Sequence, residues 1–182
     1  MKYLVILAVL FAGSVCASDF AICTGEYALC AASPTTATTQ TVTVNTKNGP
    51  VVYAGRIAIC PILKGPAIAD TAGGNMTGSC SAPKGHVWSL FSVRKTIPQA
   101  PTWAETPVVF TKYVTTATNG VSNQFSFLCT KIKPVNGVPL ASCLGAENEM
   151  LDGSPVVVGT TVMTEAPAGT LYPVGGPLPT LP

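Results

Sequence analysis

Two adjoining stretches decide the reading: TTATTQTVTVNT, from Thr35 to Thr46, and NGPVVYAGRIAI, from Asn48 to Ile59. Thr and Val carry two heavy substituents on Cβ, which stiffens χ1 and suits a pleated, half-buried surface better than a helix. The Asn48-Gly49 pair between them tolerates the positive φ angles of a tight hairpin turn. Pro50 follows directly, at a strand start, where a missing N–H costs least. Read as a hairpin about Asn48-Gly49, the pair places Val42 and Val44 with Val51, Tyr53, Ile57 and Ile59 on one face. That face is expected to meet a core.

The same chemistry recurs outward from this centre. Thr alternates with other residues in Thr111 to Thr118 and Thr160 to Thr164, and Asn-Gly returns at Asn119-Gly120 and Asn136-Gly137. No stretch of helical length carries a 3.6-residue apolar stripe. A hairpin about Asn119-Gly120 sets Phe110, Lys112 and Val114 opposite Cys129, Phe127 and Phe125. Three phenylalanines on one face, each contributing about 1.5–3 kcal/mol when buried, are enough to fix that register, with Lys112 as its flaw. Further strands are expected at Val87 to Lys95 and Pro155 to Thr164. The fold class is all-β: a disulfide-braced antiparallel β-sandwich or barrel. The Gly-, Ala- and Pro-bearing segment between Cys60 and His86 reads as a long loop, near 61–86, tied down by Cys80.

Composition bounds what such a domain does. The chain has 182 residues, of which only 10% are charged, and a formal net charge of +2. That leaves no electrostatic footprint for nucleic acid and no acidic tail. Gly and Pro are frequent but follow no Gly-X-Y period. Residues 1–17 read as a cleaved secretory signal: Lys2, an apolar run from Leu4 to Ala12 too short to span a bilayer, then Val15 and Ala17 before the cut. The residues before Cys16 do not form a lipobox, so no membrane anchor is expected. Residues 18–164 form a single β-rich domain. Residues 165–182 form a Pro-rich C-terminal tail in which Leu171 and Tyr172 are the residues able to dock.

Cysteine arithmetic agrees. Seven cysteines become six when Cys16 leaves with the signal: Cys23, Cys30, Cys60, Cys80, Cys129 and Cys143. An even number in an exported chain implies three disulfides, with fifteen connectivities open. Sequence neighbours give Cys23–Cys30, Cys60–Cys80 and Cys129–Cys143. A two-residue turn at Asn136-Gly137 sets Cys129 opposite Leu144, one residue out of step with Cys143, unless a bulge restores the match. No C-x2-C pair exists and His86 is the only histidine, so no metal and no cofactor is expected.

Catalytic constellations are sparse. A nucleophilic triad has only His86 to build on, no G-x-S-x-G elbow is present, and His86 reads as a loop residue before a strand. Glu147 and Glu149 are close in sequence but read as a solvated turn rather than a glycosidase pair. No catalytic residue is assigned. Aromatics offer the binding hint: Trp88 and Trp103 flank a segment holding Arg94 and Lys95, and exposed rings of this kind stack on sugars or anchor protein interfaces. The competing reading puts Trp88 in the core beside Leu90, Phe91 and Val93. Asn75-Met76-Thr77 matches an N-glycosylation sequon.

The segment Cys23-Thr24-Gly25-Glu26-Tyr27-Ala28-Leu29-Cys30-Ala31-Ala32-Ser33 resembles the opening of poorly characterised extracellular proteins of Gram-negative bacteria exported by the type II secretion pathway. The resemblance implies translocation, periplasmic folding with disulfide formation, then passage of the outer membrane as a folded domain. Three functions follow as expectations. The leading one is a secreted, non-enzymatic binding or effector protein with a protein or glycan ligand. The others are a hydrolase using His86 and a structural cell-wall or matrix component.

Overall fold

The structure, a computed structural model, describes residues 20–31, 33–46, 48–70, 76, 79–92, 96–99, 104–107, 113–115, 120–149, 153–157, 159, 161–164, 171–172 and 174–176. Among them every regular element is a strand. They run β1 (Phe20–Ala28), β2 (Thr35–Thr46), β3 (Gly49–Asp70), β4 (His86–Ser89), β5 (Phe91–Ser92), β6 (Thr96–Gln99), β7 (Ala104–Pro107), β8 (Tyr113–Thr115), β9 (Ser122–Asn123), β10 (Leu128–Val135), β11 (Val138–Glu147), β12 (Thr161–Thr164) and β13 (Gly175–Gly176). The principal sheet is eight-stranded; β13-β12-β8 and β6-β7 form two smaller ones. All of its pairings are antiparallel except β1 with β4.

The Thr/Val stretches form the β2–β3 hairpin. Val44 pairs with Val51 and Val42 with Tyr53, and these side chains bury with Phe127 and Ala146. Gly49 itself pairs with Thr46, so the chain reverses ahead of Gly49 and not across Asn48-Gly49. Ile57 and Ile59 do not follow Tyr53 inward: Ile59 is 36% exposed, while Arg56, Ala58 and Cys60 are buried. The inward face switches at Gly55 and Arg56, both buried, where the β2–β3 register shifts between Ala37 opposite Arg56 and Thr41 opposite Ala54.

Residues 61–70 are strand, not loop. β3 continues to Asp70, with Phe20 opposite Asp70 and Ala28 opposite Ile62. Pro61, Gly65 and Pro66 read locally as breakers, yet Pro61 falls where β3 changes partner and its carbonyl accepts from Leu29 N at 2.9 Å. The pairings then return on themselves: β3 to β1, β1 to β4, β4 to β10, β10 to β11, and β11 back to β3. Ala28, Cys30, Ala58, Cys60, Ile62, Val87, Cys129, Ala141, Cys143 and Val174 pack together along this circuit. A second cluster, around Tyr27, Leu63, Met76, Trp88 and Leu90, contains Cys23.

The hairpin about Asn119-Gly120 is not formed as expected. At Cys129 both edges of β10 are taken, by Val87 on one side and Cys143 on the other; Phe110, Lys112 and Asn119 of the expected hairpin lie outside the described residues. Tyr113–Thr115 pairs instead with β12. The burial of Phe125, Phe127 and Cys129 holds nonetheless. The Asn136-Gly137 turn also holds, both residues having positive φ (50° and 79°). A register shift between Ile132 and Val135 brings Cys129 opposite Cys143, which is the bulge that pairing required.

The disulfides are Cys23–Cys80, Cys30–Cys60 and Cys129–Cys143. Two of the three neighbour pairings therefore fail, because β1 lies along the far half of β3 and carries Cys30 to Cys60 rather than to Cys23. The second half of the expected 155–164 strand is present as β12, while Pro155 makes a single bridge to Glu149. The last stretch contributes to the folded unit: Val174 is buried in the circuit and Tyr172 stacks its ring 4.2 Å from the Arg56 guanidinium, while Leu171 stays exposed. Residues 1–17, Arg94, Lys95, Trp103, Asn75 and Thr77 lie outside the described residues.

Candidate functional site

A strap of chain, Cys80 to Gly85, crosses β1 and runs into β4 at His86. The Cys23–Cys80 bridge ties its start to β1, and His86 N donates to the Pro83 carbonyl at 3.0 Å to close the turn at its end. Gly85 takes φ +83°, which favours glycine, and its carbonyl accepts from Lys131 N at 2.9 Å. Strap and strand enclose a cleft of about 420 Å³. The buried ring of Tyr27 lies beneath it, and Thr24, Glu26, Ser81, Lys84, His86 and Lys131 surround it.

Strand alternation explains the set. Cys23 and Tyr27 face inward from β1, so Thr24 and Glu26 face out. Thr130 pairs with His86, which brings the next residue, Lys131, across β4 toward β1. Its Nζ donates to Glu26 Oε2 at 2.5 Å. Lys64 stands opposite Glu26 on β3. The hydrogen bond from Lys131 and then its charge hold the Glu26 carboxyl below 4.5, with Lys64 adding to this and partial desolvation opposing it. One carboxylate among Lys64, Lys84 and Lys131 leaves this side of the molecule cationic.

The lowered carboxyl carries a pH signature. Glu26 is charged in the folded state to lower pH than in the unfolded chain, so its contribution to stability is complete above 4.5 and disappears as pH falls through the folded value. Lys131→Met is expected to return the Glu26 midpoint toward 4.5, read from its side-chain carboxyl resonance. An unchanged midpoint would refute Lys131 as the cause.

His86 is half-buried in this cleft, and its Nδ1 faces the Lys84 carbonyl at 3.1 Å. Among the described residues no hydroxyl or carboxylate is hydrogen-bonded to it, so the donor–base–orienter chain of a triad is not assembled there. Trp88 is a core residue, 6% exposed, packed with Tyr27, Leu63 and Leu90. Its ring offers no face to a ligand, which corrects its place as a ligand-binding candidate. Trp103 lies outside the described residues.

Glu147 and Glu149 are not a solvated turn. Glu147 accepts from Arg56 Nη1 at 3.1 Å, and Arg56 Nε also donates to Thr35 Oγ1 at 2.9 Å. Glu149 is 1% exposed and accepts from Asn123 Nδ2 at 3.2 Å. Gln124 donates to Ser122 Oγ and to the Arg56 carbonyl, and Asn123 Oδ1 accepts from Phe125 N. These bonds seat residues 121–127 over β3 and β11. The network is structural, with its polar groups turned inward on one another.

The sulfur atoms of Cys30, Cys60 and Cys143 lie within 4.8 Å of one another. All three are committed to disulfides and so present no thiolate to a metal. No helix among the described residues is long and apolar enough to cross a membrane. Compared with known families, curated proteins and solved structures, the chain matches no family model, no curated protein and no solved structure. What the fold defines is a class, an all-β protein braced by three disulfides. Bridges of this kind form and persist outside reducing compartments.

The sequence flagged His86 and all six bridge cysteines but missed Glu26, Lys84 and Lys131. One signal was present: the run Cys80-Ser81-Ala82-Pro83-Lys84-Gly85-His86 sets a bridge cysteine, a cation and the only histidine within a single turn-rich strap.

Proposed function

We propose that this chain is a secreted binding or effector protein that takes a small polar ligand in the cleft between β1 and the Cys80–Gly85 strap. The single observation that supports this is the cleft itself: about 420 Å³, within the usual range for ligand pockets, with Glu26, Lys84, His86 and Lys131 converging on it. Its cationic surroundings favour a carboxylate- or phosphate-bearing molecule, free or displayed on a host glycan or protein. Export through the periplasm, with disulfide formation before passage of the outer membrane, is the route that the Cys23–Ser33 resemblance implies. Loss of the protein from the culture medium when the type II machinery is disabled is its check.

The test is amide chemical-shift mapping of the oxidised protein with a panel of small carboxylates, phosphates and acidic sugars. Saturable shifts are expected at Thr24 to Glu26, Ser81 to Val87 and Lys131, and are expected to weaken in Lys84→Gln. Shifts scattered over the surface, or confined to other loops, would count against the cleft. The hydrolase reading is favoured by one fact, that the only histidine shares this cleft with a carboxylate. It requires turnover of one of these compounds that His86→Ala abolishes; binding without turnover rejects it.

A further inference from the structure

The three disulfides occupy two different environments. Cys30, Cys60, Cys129 and Cys143 are 0–2% exposed and stand among apolar side chains inside the circuit of strands. Cys23–Cys80 lines the cleft, and Cys80 is exposed, whereas Cys23 is 4% exposed. Thiol–disulfide exchange requires a thiolate to reach a sulfur in line with the bond, so access separates the bridges before any other factor does. Charge adds to this: Lys131 is ion-paired with Glu26, and Lys84 on the strap supplies the positive charge beside the approach. Such a field concentrates anions and stabilises thiolate.

We infer that Cys23–Cys80 is an exchangeable disulfide, and that Cys80 is a site of modification by anionic low-molecular-weight thiols. A thiolate RS⁻ attacks Cys80 Sγ and forms the RS–S bond. The Cys23–Cys80 bond breaks, and its electron pair leaves on Cys23 Sγ, which takes a proton from water. A second RS⁻ attacks the outer sulfur of the mixed disulfide, releasing RSSR and leaving Cys80 as thiolate. Overall, two thiols are oxidised to one disulfide while one protein disulfide is reduced to two thiols. The cysteines joined are 57 residues apart, and their bridge is the covalent tie between the cleft's strap and its floor. The Gly85–Lys131 and Pro83–His86 hydrogen bonds persist, so exchange loosens one wall of the cleft in a folded protein. The inference does not depend on the ligand reading, since exchange can be followed with no ligand present.

The experiment treats the oxidised full chain with glutathione, net anionic, and in parallel with cysteamine, net cationic. Rates are corrected for thiolate fraction, and sites are read by timed alkylation and mass spectrometry. Cys23 and Cys80 are expected to react at least about tenfold faster than the four interior cysteines. Glutathione is expected to outpace cysteamine, and Lys84→Glu to cut that preference about fivefold at low salt, with the melting temperature recorded to show the variant folded. Interior cysteines reacting as fast as Cys80 would overturn the assignment. So would a glutathione-to-cysteamine ratio that ignores the charge at residue 84.

Discussion

Replacing Cys30 and Cys60 together by alanine is expected to lower stability by about 5 kcal/mol. Closing a loop of 30 residues is worth about 3.6 kcal/mol in the chain-entropy account. The rest, about 1 kcal/mol or more, comes from the void left where two sulfurs stood in close-packed surroundings. Those surroundings are Ala28, Ala58, Ala141, Val87 and Val174, small side chains that cannot move in to refill the space. Urea unfolding of the wild type and the double variant reads the difference. A loss under about 2 kcal/mol would mean that the strands do not close around this bridge as described.

Among the described glycines, Gly145→Ala is expected to be the most damaging methyl addition. A Cβ on residue 145 would overlap the Asn123 carbonyl oxygen and the Gln124 side chain. Gln124 is a flexible side chain, but the Asn123 carbonyl is backbone, held by the pairing of Asn123 with Ala146. Relief therefore requires β9 to move off β11. That movement withdraws Gln124 from the Arg56 carbonyl and Asn123 from Glu149, leaving buried polar groups without partners. The combined cost is about 3 kcal/mol or more, a fall of about 6–12 °C in melting temperature for a chain of this size. A drop under about 3 °C would show that residues 121–127 are not seated as described.

What was legible locally was legible for physical reasons. Thr and Val between Thr35 and Thr46 can hardly be anything but strand, and Asn136-Gly137 carries its positive φ angles in its residue types. The burial of Phe125 and Phe127 was readable from their size and apolar character, although the alternation expected around them is absent, every residue from Val121 to Phe127 being buried. Their partner was not readable: the pattern of Val121 to Cys129 fits a hairpin with Phe110 as well as it fits β4 and β11, and only the three-dimensional circuit chooses. Residues 61–70 were obscured by Pro61, Gly65 and Pro66, whose local message is a turn. β1 overrides it by pairing along the whole segment and burying Leu63, Ala67 and Ile68. The cleft was hidden for the same reason, since it depends on β1 lying parallel to β4 and on Cys80 choosing Cys23. Neither fact is a property of any short stretch.

The circuit of pairings has a consequence in time. β3 is complete by Asp70, yet its edge from Gly55 to Pro61 has no partner until Leu140 to Ala146 arrive. β10, which must enter between β4 and β11, also comes late in the chain. Apart from the β10–β11 hairpin, the pairings of the circuit join residues far apart in sequence, a topology that folds slowly. An emerging chain that ends before β11 holds an unpaired β3 edge and cysteines with several candidate partners. The circuit can therefore close, and its bridges lock in their final pairing, only once β11 has been made.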